Sequence, residues 1–147
     1  MGGRNWRPET GNRLPKALAC GMLEDGGRVL FLVRTDRSGT ERIELPCVLV
    51  PSGRSPFAEI KEAFGKQTGI ADYEVHEVVL EGRHNAGSRR RRMKVPALVF
   101  KITARVRTAK VAPEFSGFRW LSLEDAKSKR WGRDFEWFFG ARKPSEE

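Results

Sequence analysis

Apolar residues fall into short runs separated by turn-forming clusters, the pattern of a strand-rich domain. Residues 16–23 read as a strand ended by Glu24-Asp25-Gly26-Gly27, a strong hairpin signal. Residues 28–34 hold the nearly continuous apolar run Val29-Leu30-Phe31-Leu32-Val33, a second strand. Asp36-Arg37-Ser38-Gly39 marks the next turn, and residues 42–50 are extended with Pro46 inside, which argues for an edge, a bend or a loop junction. Ser55-Pro56 opens a helix, serine as N-cap and proline at the first helical position. Phe57, Ile60, Ala63 and Phe64 follow at helical spacing, and Thr68-Gly69 closes the helix with a glycine suited to the left-handed conformation.

Residues 73–80 and 95–106 read as further strands. In the second, Leu98, Phe100, Ile102, Ala104 and Val106 alternate as a core face. The opposite face starts with Val95, Ala97 and Val99 and then turns to Lys101, Thr103, Arg105 and Arg107. A short strand at 118–121 precedes Ser122, which begins a turn or helix through Glu124-Asp125-Ala126. Residues 134–141 read as a final amphipathic helix, with Trp131, Phe135, Phe138 and Phe139 on a core-facing stripe. Trp137 falls on another face, as a partly buried side chain or a partner contact. The class is mixed α+β, with strands dominating and two main helices.

A length of 147 residues bounds this to about one domain. The expected division is a flexible basic N-terminal arm at 1–15, a folded domain at 16–142 and a tail at 143–147. With 39% hydrophobic and 32% charged residues the chain is polar but still supplies one core. No run approaches the roughly 18 apolar residues of a membrane helix, and the N-terminus lacks an apolar signal region or a myristoylation pattern. A soluble, cytoplasmic protein is the expectation. Cys20 and Cys47 lie in apolar runs without metal-ligand spacing, so buried thiols are expected and a disulfide scaffold is excluded.

The net charge of +9 is local: residues 81–112 hold ten basic residues and one acidic, which is the whole excess. Arg89, Arg90, Arg91 and Arg92 follow a turn-rich stretch, Lys94 comes just before the next strand, and Lys101, Arg105 and Arg107 share one face by its alternation. Two readings stay open, a solvated face beside a loop and a surface that meets nucleic acid or phosphate. His76 in a strand pattern and His84 in a loop have no acid or cysteine at ligand spacing and read as structural or solvated. No nucleophile elbow or phosphate-loop pattern occurs.

The order strand, strand, Leu45-Pro46 junction, helix, then Thr68-Gly69-Ile70 resembles the Nudix hydrolase fold. Gly53 and Ser55 match the family's approach to its helix, and Phe64, Gly69 and Ile70 match its hydrophobic and glycine positions without a gap from Leu45 to Ile70. The segment from Glu114 through Trp120 to Glu124 is similar to the family's late strand and turn. The resemblance implies a Nudix-like α/β/α sandwich with a mixed sheet over residues 16–142. In that family a helical glutamate cluster holds divalent cations that polarise a diphosphate and activate water. Carried over by position, the three metal-binding glutamates fall on Ala63, Lys66 and Gln67. The box's first glycine falls on Val48, its earlier glutamate on Arg54 and its arginine on Glu62. The resemblance therefore implies a degenerate box with no catalytic residue, no metal and no cofactor. The reversed signs at Arg54 and Glu62 predict an ion pair between them, with Glu62–Lys66 as the alternative.

The expected function is a non-catalytic binder of nucleic acid or a phosphorylated small molecule, through Arg89–Arg92, Lys94, Lys101, Arg105, Arg107 and Lys66. Two alternatives stand beside it. One is a divergent Mg-dependent hydrolase of nucleoside diphosphate derivatives, using Glu44, Glu59, Glu62 or Glu114 as substitute acids. The other is a scaffold subunit that meets a protein partner through its C-terminal aromatic helix.

Overall fold

Gly26 and Gly27 both take positive φ (62° and 82°), the backbone that a two-residue type I′ hairpin turn requires. They fold β2 (Arg28–Thr35) back on β1 (Pro15–Asp25), as the sequence predicts. The structure is a computed structural model, and residues 14–106, 108–132 and 135–144 are described. The expected arm at 1–15 therefore lies mostly outside the described residues, as do Arg107 and the last residues of the tail.

Pro46 is the junction that its chemistry forecasts. The single extended stretch expected at 42–50 is two strands, β3 (Glu41–Glu44) and β4 (Cys47–Pro51), which pair with different neighbours. β3 runs antiparallel to β2, while β4 runs antiparallel to β1. A proline has no N–H for a ladder, so the chain changes partner there. The Pro46 carbonyl still accepts from Gly21 N–H at 2.9 Å.

Helix α1 (Pro56–Thr68) begins and ends where the sequence places it. Ser55 Oγ accepts from Ala58 N–H at 3.2 Å, and Gly69, at φ 74°, donates its N–H to the Gly65 carbonyl at 2.9 Å. Ile60 and Phe64 on its inner face are fully buried, each contributing about 1.5–3 kcal/mol by leaving water.

β5 (Tyr73–Asn85) and β6 (Lys94–Ala104) form a long antiparallel hairpin, and β6 also runs parallel to β1 over Leu18–Leu23. This gives a mixed sheet in the order β4-β1-β6-β5. β7 (Gly117–Leu121) pairs with β2 opposite β3, completing an antiparallel three-stranded sheet joined to the first through the β1–β2 hairpin. β5 runs five residues beyond its expected end at Leu80, so His84 is a buried strand residue and not a loop residue. β6 stops at Ala104, and Val106, expected to face the core, is half exposed.

Both faces of the mixed sheet are covered. On one side Ala17, Ala19, Phe100 and Ile102 pack under α1. On the other, Leu18, Cys20, Ala97 and Val99 pack against Val29, Phe31 and Val33 of the second sheet and against Phe135 and Phe138. Double coverage explains why β6 is apolar on both faces over its first half. Besides α1, α2 (Leu123–Ala126) is one helical turn, capped by Ser122. The amphipathic helix expected at 134–141 is replaced, over its described part, by turns and a 3-10 turn at Phe138–Gly140. Phe138 is buried there and Phe139 is largely exposed, so the stripe does not form one core face. These rings gather around Trp131, which meets Phe31, Phe138 and Phe139 at 5.0–5.3 Å between centroids. Aromatic clustering, not helical periodicity, sets their spacing.

Candidate functional site

The last turn of α1 and the Pro46 junction meet at a cleft of about 370 Å³. Its lining includes Arg34, Arg42, Glu44, Cys47, Gln67 and Phe135. Glu44 is buried and accepts from Arg34 Nε at 3.0 Å, while the Arg34 guanidinium lies 4.6 Å over the Phe115 ring. Arg42 Nε reaches Asp36 Oδ2 at 3.4 Å. Among the described lining residues, each cation of the cleft thus has an anionic neighbour. Asp36 is held below the usual aspartate range, first by the Ser38 hydroxyl, then by the Thr40 and Ser38 backbone N–H groups and the Arg42 guanidinium.

Of the three helix positions singled out by sequence, only Gln67 reaches this cleft. Its amide pairs with both backbone groups of one residue: Oε1 accepts from Cys47 N–H at 3.2 Å, and Nε2 donates to the Cys47 carbonyl at 2.8 Å. Ala63 is half-buried against the layer that holds Ile60 and Phe100. Lys66 is exposed, lines neither this cleft nor the groove at the β5–β6 hairpin end, and meets Glu62 at 3.0 Å one helical turn away. Arg54 pairs with Glu59 at 2.8 Å, not with Glu62. The predicted Arg54–Glu62 bridge is therefore replaced by two pairs. Glu59 stands on the first turn beside the loop that carries Arg54, whereas Glu62 lies a turn further along α1. Among the described residues no three His, Cys, Asp or Glu side chains group in a way that could hold a metal ion.

A second concavity, of about 690 Å³, lies at the far end of the β5–β6 hairpin. Arg83, Arg89, Arg92 and Lys94 line it together with His84, Asn85, Glu136 and Trp137. Among the described lining residues, four cations stand against one carboxylate, which makes this face of the groove positive. The loop that carries Arg89 and Arg92 between β5 and β6 is tied shut. Asn85 Oδ1 accepts from Gly87 N–H at 3.0 Å and Met93 N–H at 2.9 Å, and Ser88 exchanges hydrogen bonds with Arg91. Gly82 lets the Trp137 ring lie against β5, because a Cβ there would stand 2.7 Å from the indole.

The structure divides the sequence-predicted basic residues. Arg89, Arg92 and Lys94 converge on the groove, and Arg90 and Arg91 are exposed on the same loop. Lys101 is exposed toward the other end of β6, about 23 Å from Lys94 at 3.3 Å per residue. Arg105 lies past the strand end, 3.9 Å from Asp72. Arg83 and Trp137 were not singled out as groove residues. Residues 83, 84 and 85 pair with 96, 95 and 94, so the hairpin turns about a point between Arg89 and Arg90. This register, a tertiary feature, is what brings Arg83 beside the loop.

Neither a family sequence model nor a curated protein sequence matches the chain. Its fold does match solved structures. The MutT protein from Methanosarcina mazei superposes with a TM-score of 0.63 at 22% identity, covering 84% of this chain and 89% of that one. A Nudix hydrolase described as putative, from Listeria monocytogenes, gives 0.61 at 16% identity, covering 82% and 86%. The Nudix domain of Shewanella oneidensis NrtR, complexed with ADP ribose, gives 0.55 at 14% identity, covering 87% and 85%. With its mixed sheet, its capped helix after the Leu45-Pro46 junction and these superpositions, the chain has the Nudix fold.

Proposed function

We propose that this chain binds a phosphate-rich ligand, nucleic acid above all, without hydrolysing it. The observation that carries the reading is the convergence of Arg83, Arg89, Arg92 and Lys94 on one groove whose loop is already closed by its own hydrogen bonds. Guanidinium groups donate in a fixed planar fork that matches phosphate oxygens, and a pre-ordered loop loses little entropy on binding. Arg90 and Arg91 extend the contact outward, and Lys101 and Arg105 serve a longer strand that passes along β6 beyond the groove, while Lys66, on α1 across the sheet, lies off that path. Such contacts give affinity and salt dependence before sequence choice. The ADP-ribose complex of the Shewanella oneidensis domain supports a phosphorylated ligand on this fold.

The box positions do not fit a hard divalent cation, which takes several oxygen ligands, carboxylates foremost. Ala63 has no donor atom, Lys66 brings a positive charge, and the Gln67 amide is engaged with Cys47. The test is phosphate release from a panel of nucleotides and dinucleotides with magnesium or manganese. No release above a protein-free control is the expected result, and metal-dependent release would replace this reading with that of a divergent hydrolase.

A further inference from the structure

Cys20 and Cys47 stand directly opposite each other in the β1–β4 ladder. Both backbone groups of Cys47 turn to Gln67 and so away from β1. The two cysteines therefore form the non-hydrogen-bonded kind of antiparallel pair, whose Cα atoms lie about 4.5 Å apart with the side chains close. A disulfide spans Cα separations of about 4.4–6.8 Å. Both side chains lie on the same face of the sheet, in the layer shared with Phe31 and Phe135. Their access to solvent differs: Cys20 is fully buried, while Cys47 is half-buried and lines the 370 Å³ cleft. Burial, then the adjoining Cys47 thiol and the Glu44 charge, push the Cys20 thiol well above its ordinary range. Cys20 therefore keeps its proton until it reacts, and the register that sets it opposite Cys47 lets it give up that proton to the departing hydroxyl as its sulfur attacks.

We propose that Cys47 and Cys20 form an oxidation site, at which hydrogen peroxide entering the cleft converts the two thiols into a cross-strand disulfide. In the first step the Cys47 sulfur attacks one peroxide oxygen. An S–O bond forms, the O–O bond breaks, and the departing hydroxide leaves as water with the thiol proton. Sulfur is oxidised by two electrons and the peroxide is reduced by two, giving a sulfenic acid. In the second step the Cys20 sulfur attacks the Cys47 sulfur. The S–S bond forms, the S–O bond breaks, and the hydroxyl leaves as a second water with the Cys20 proton. A reducing thiol reverses the product by exchange at the exposed Cys47 side.

The test uses the full reduced chain with hydrogen peroxide as oxidant, followed by intact mass, thiol titration in denaturant and peptide mapping. The expected product has lost two hydrogens per chain, has no titratable thiol, maps to a Cys20–Cys47 bridge within one chain, and reverts with dithiothreitol. Cys20→Ala removes the second step, so Cys47 is then trapped by dimedone as the sulfenic acid, whereas the wild type gives little adduct. Cys47→Ser leaves Cys20 unreacted under the same exposure. Retention of both thiols, a bridge between chains, or equal dimedone trapping in wild type and Cys20→Ala would each overturn the proposal. The wild-type product decides alone if a variant fails to fold.

Discussion

Gln67 holds both backbone groups of Cys47 with a single side-chain amide, Oε1 to N–H at 3.2 Å and Nε2 to C=O at 2.8 Å. This pairing fastens the end of α1 to the point where the chain leaves Pro46 and enters β4. It also accounts for an amide at a position where the resemblance calls for glutamate. An ionised carboxylate accepts hydrogen bonds and cannot donate to the Cys47 carbonyl.

Gln67→Ala should therefore lower stability by about 1–3 kcal/mol, since it leaves part-buried backbone groups without their partner. Denaturant or thermal unfolding measures the loss. A variant as stable as the wild type would show that water replaces the amide at no cost.

Gln67→Glu should make stability depend on pH with a definite sign. Only the neutral form of the introduced carboxyl can accept from Cys47 N–H and also donate to Cys47 C=O. Its folded pKa is thus raised above the unfolded value of about 4.3. The stabilisation is fully present below pH about 4.3 and is lost as pH rises through the raised folded value. Unfolding free energies of the variant and wild type, compared across that range, check the sign.

The pairs Arg54–Glu59 and Glu62–Lys66 are surface contacts, with Arg54 and Lys66 mostly exposed. Removing either by Arg54→Ala or Glu62→Ala should change stability by less than about 1 kcal/mol. A larger loss for Arg54→Ala alone would mean that the loop before α1 depends on Glu59, which is the less exposed partner.

The limits of α1 were legible in the sequence because local chemistry sets them. Ser55 caps, Pro56 starts and Gly69 takes the left-handed backbone, whatever surrounds them. Leu45-Pro46 was legible as a junction but not as a change of sheet, since strand partners lie far apart in sequence. The aromatic segment misled because Trp131, Phe135, Phe138 and Phe139 fit a helical period, while their actual arrangement follows ring contacts around Trp131. At the candidate site, the alternation rule says which face a residue takes but not how far along the strand it lies. Lys94 and Lys101 were grouped by sequence and are separated by the length of β6. Arg83 and Trp137 joined the groove through the hairpin register and a glycine contact, both of which are tertiary.

Gly82→Ala should disturb the groove without touching a cation. The added methyl meets the Trp137 ring, which must shift. A change in tryptophan fluorescence and weaker polyanion binding are expected, with a stability cost of about 1–3 kcal/mol typical of overpacking. Unchanged affinity would show that the position of Trp137 does not shape the groove.

Asp36 should titrate below an ordinary aspartate, because the Ser38 hydroxyl, the Thr40 and Ser38 N–H groups and Arg42 all favour its charged form. The turn it organises is then supported at every pH above the unfolded aspartate value of about 3.9 and loosens as pH falls through the depressed folded value. Carboxyl chemical shifts followed through an acid titration measure this, and Ser38→Ala should bring the value back toward the ordinary one.

The most direct test of phosphate binding at the groove is the salt dependence of affinity for a single-stranded oligonucleotide, wild type against Arg89→Ala/Arg92→Ala. Each phosphate neutralised on a single strand contributes about 0.7 to the slope of log affinity against log salt. The account predicts a steep negative slope for the wild type and one shallower by about 1.4 for the double variant, with weaker binding at every salt concentration. Equal slopes and equal affinities would contradict it.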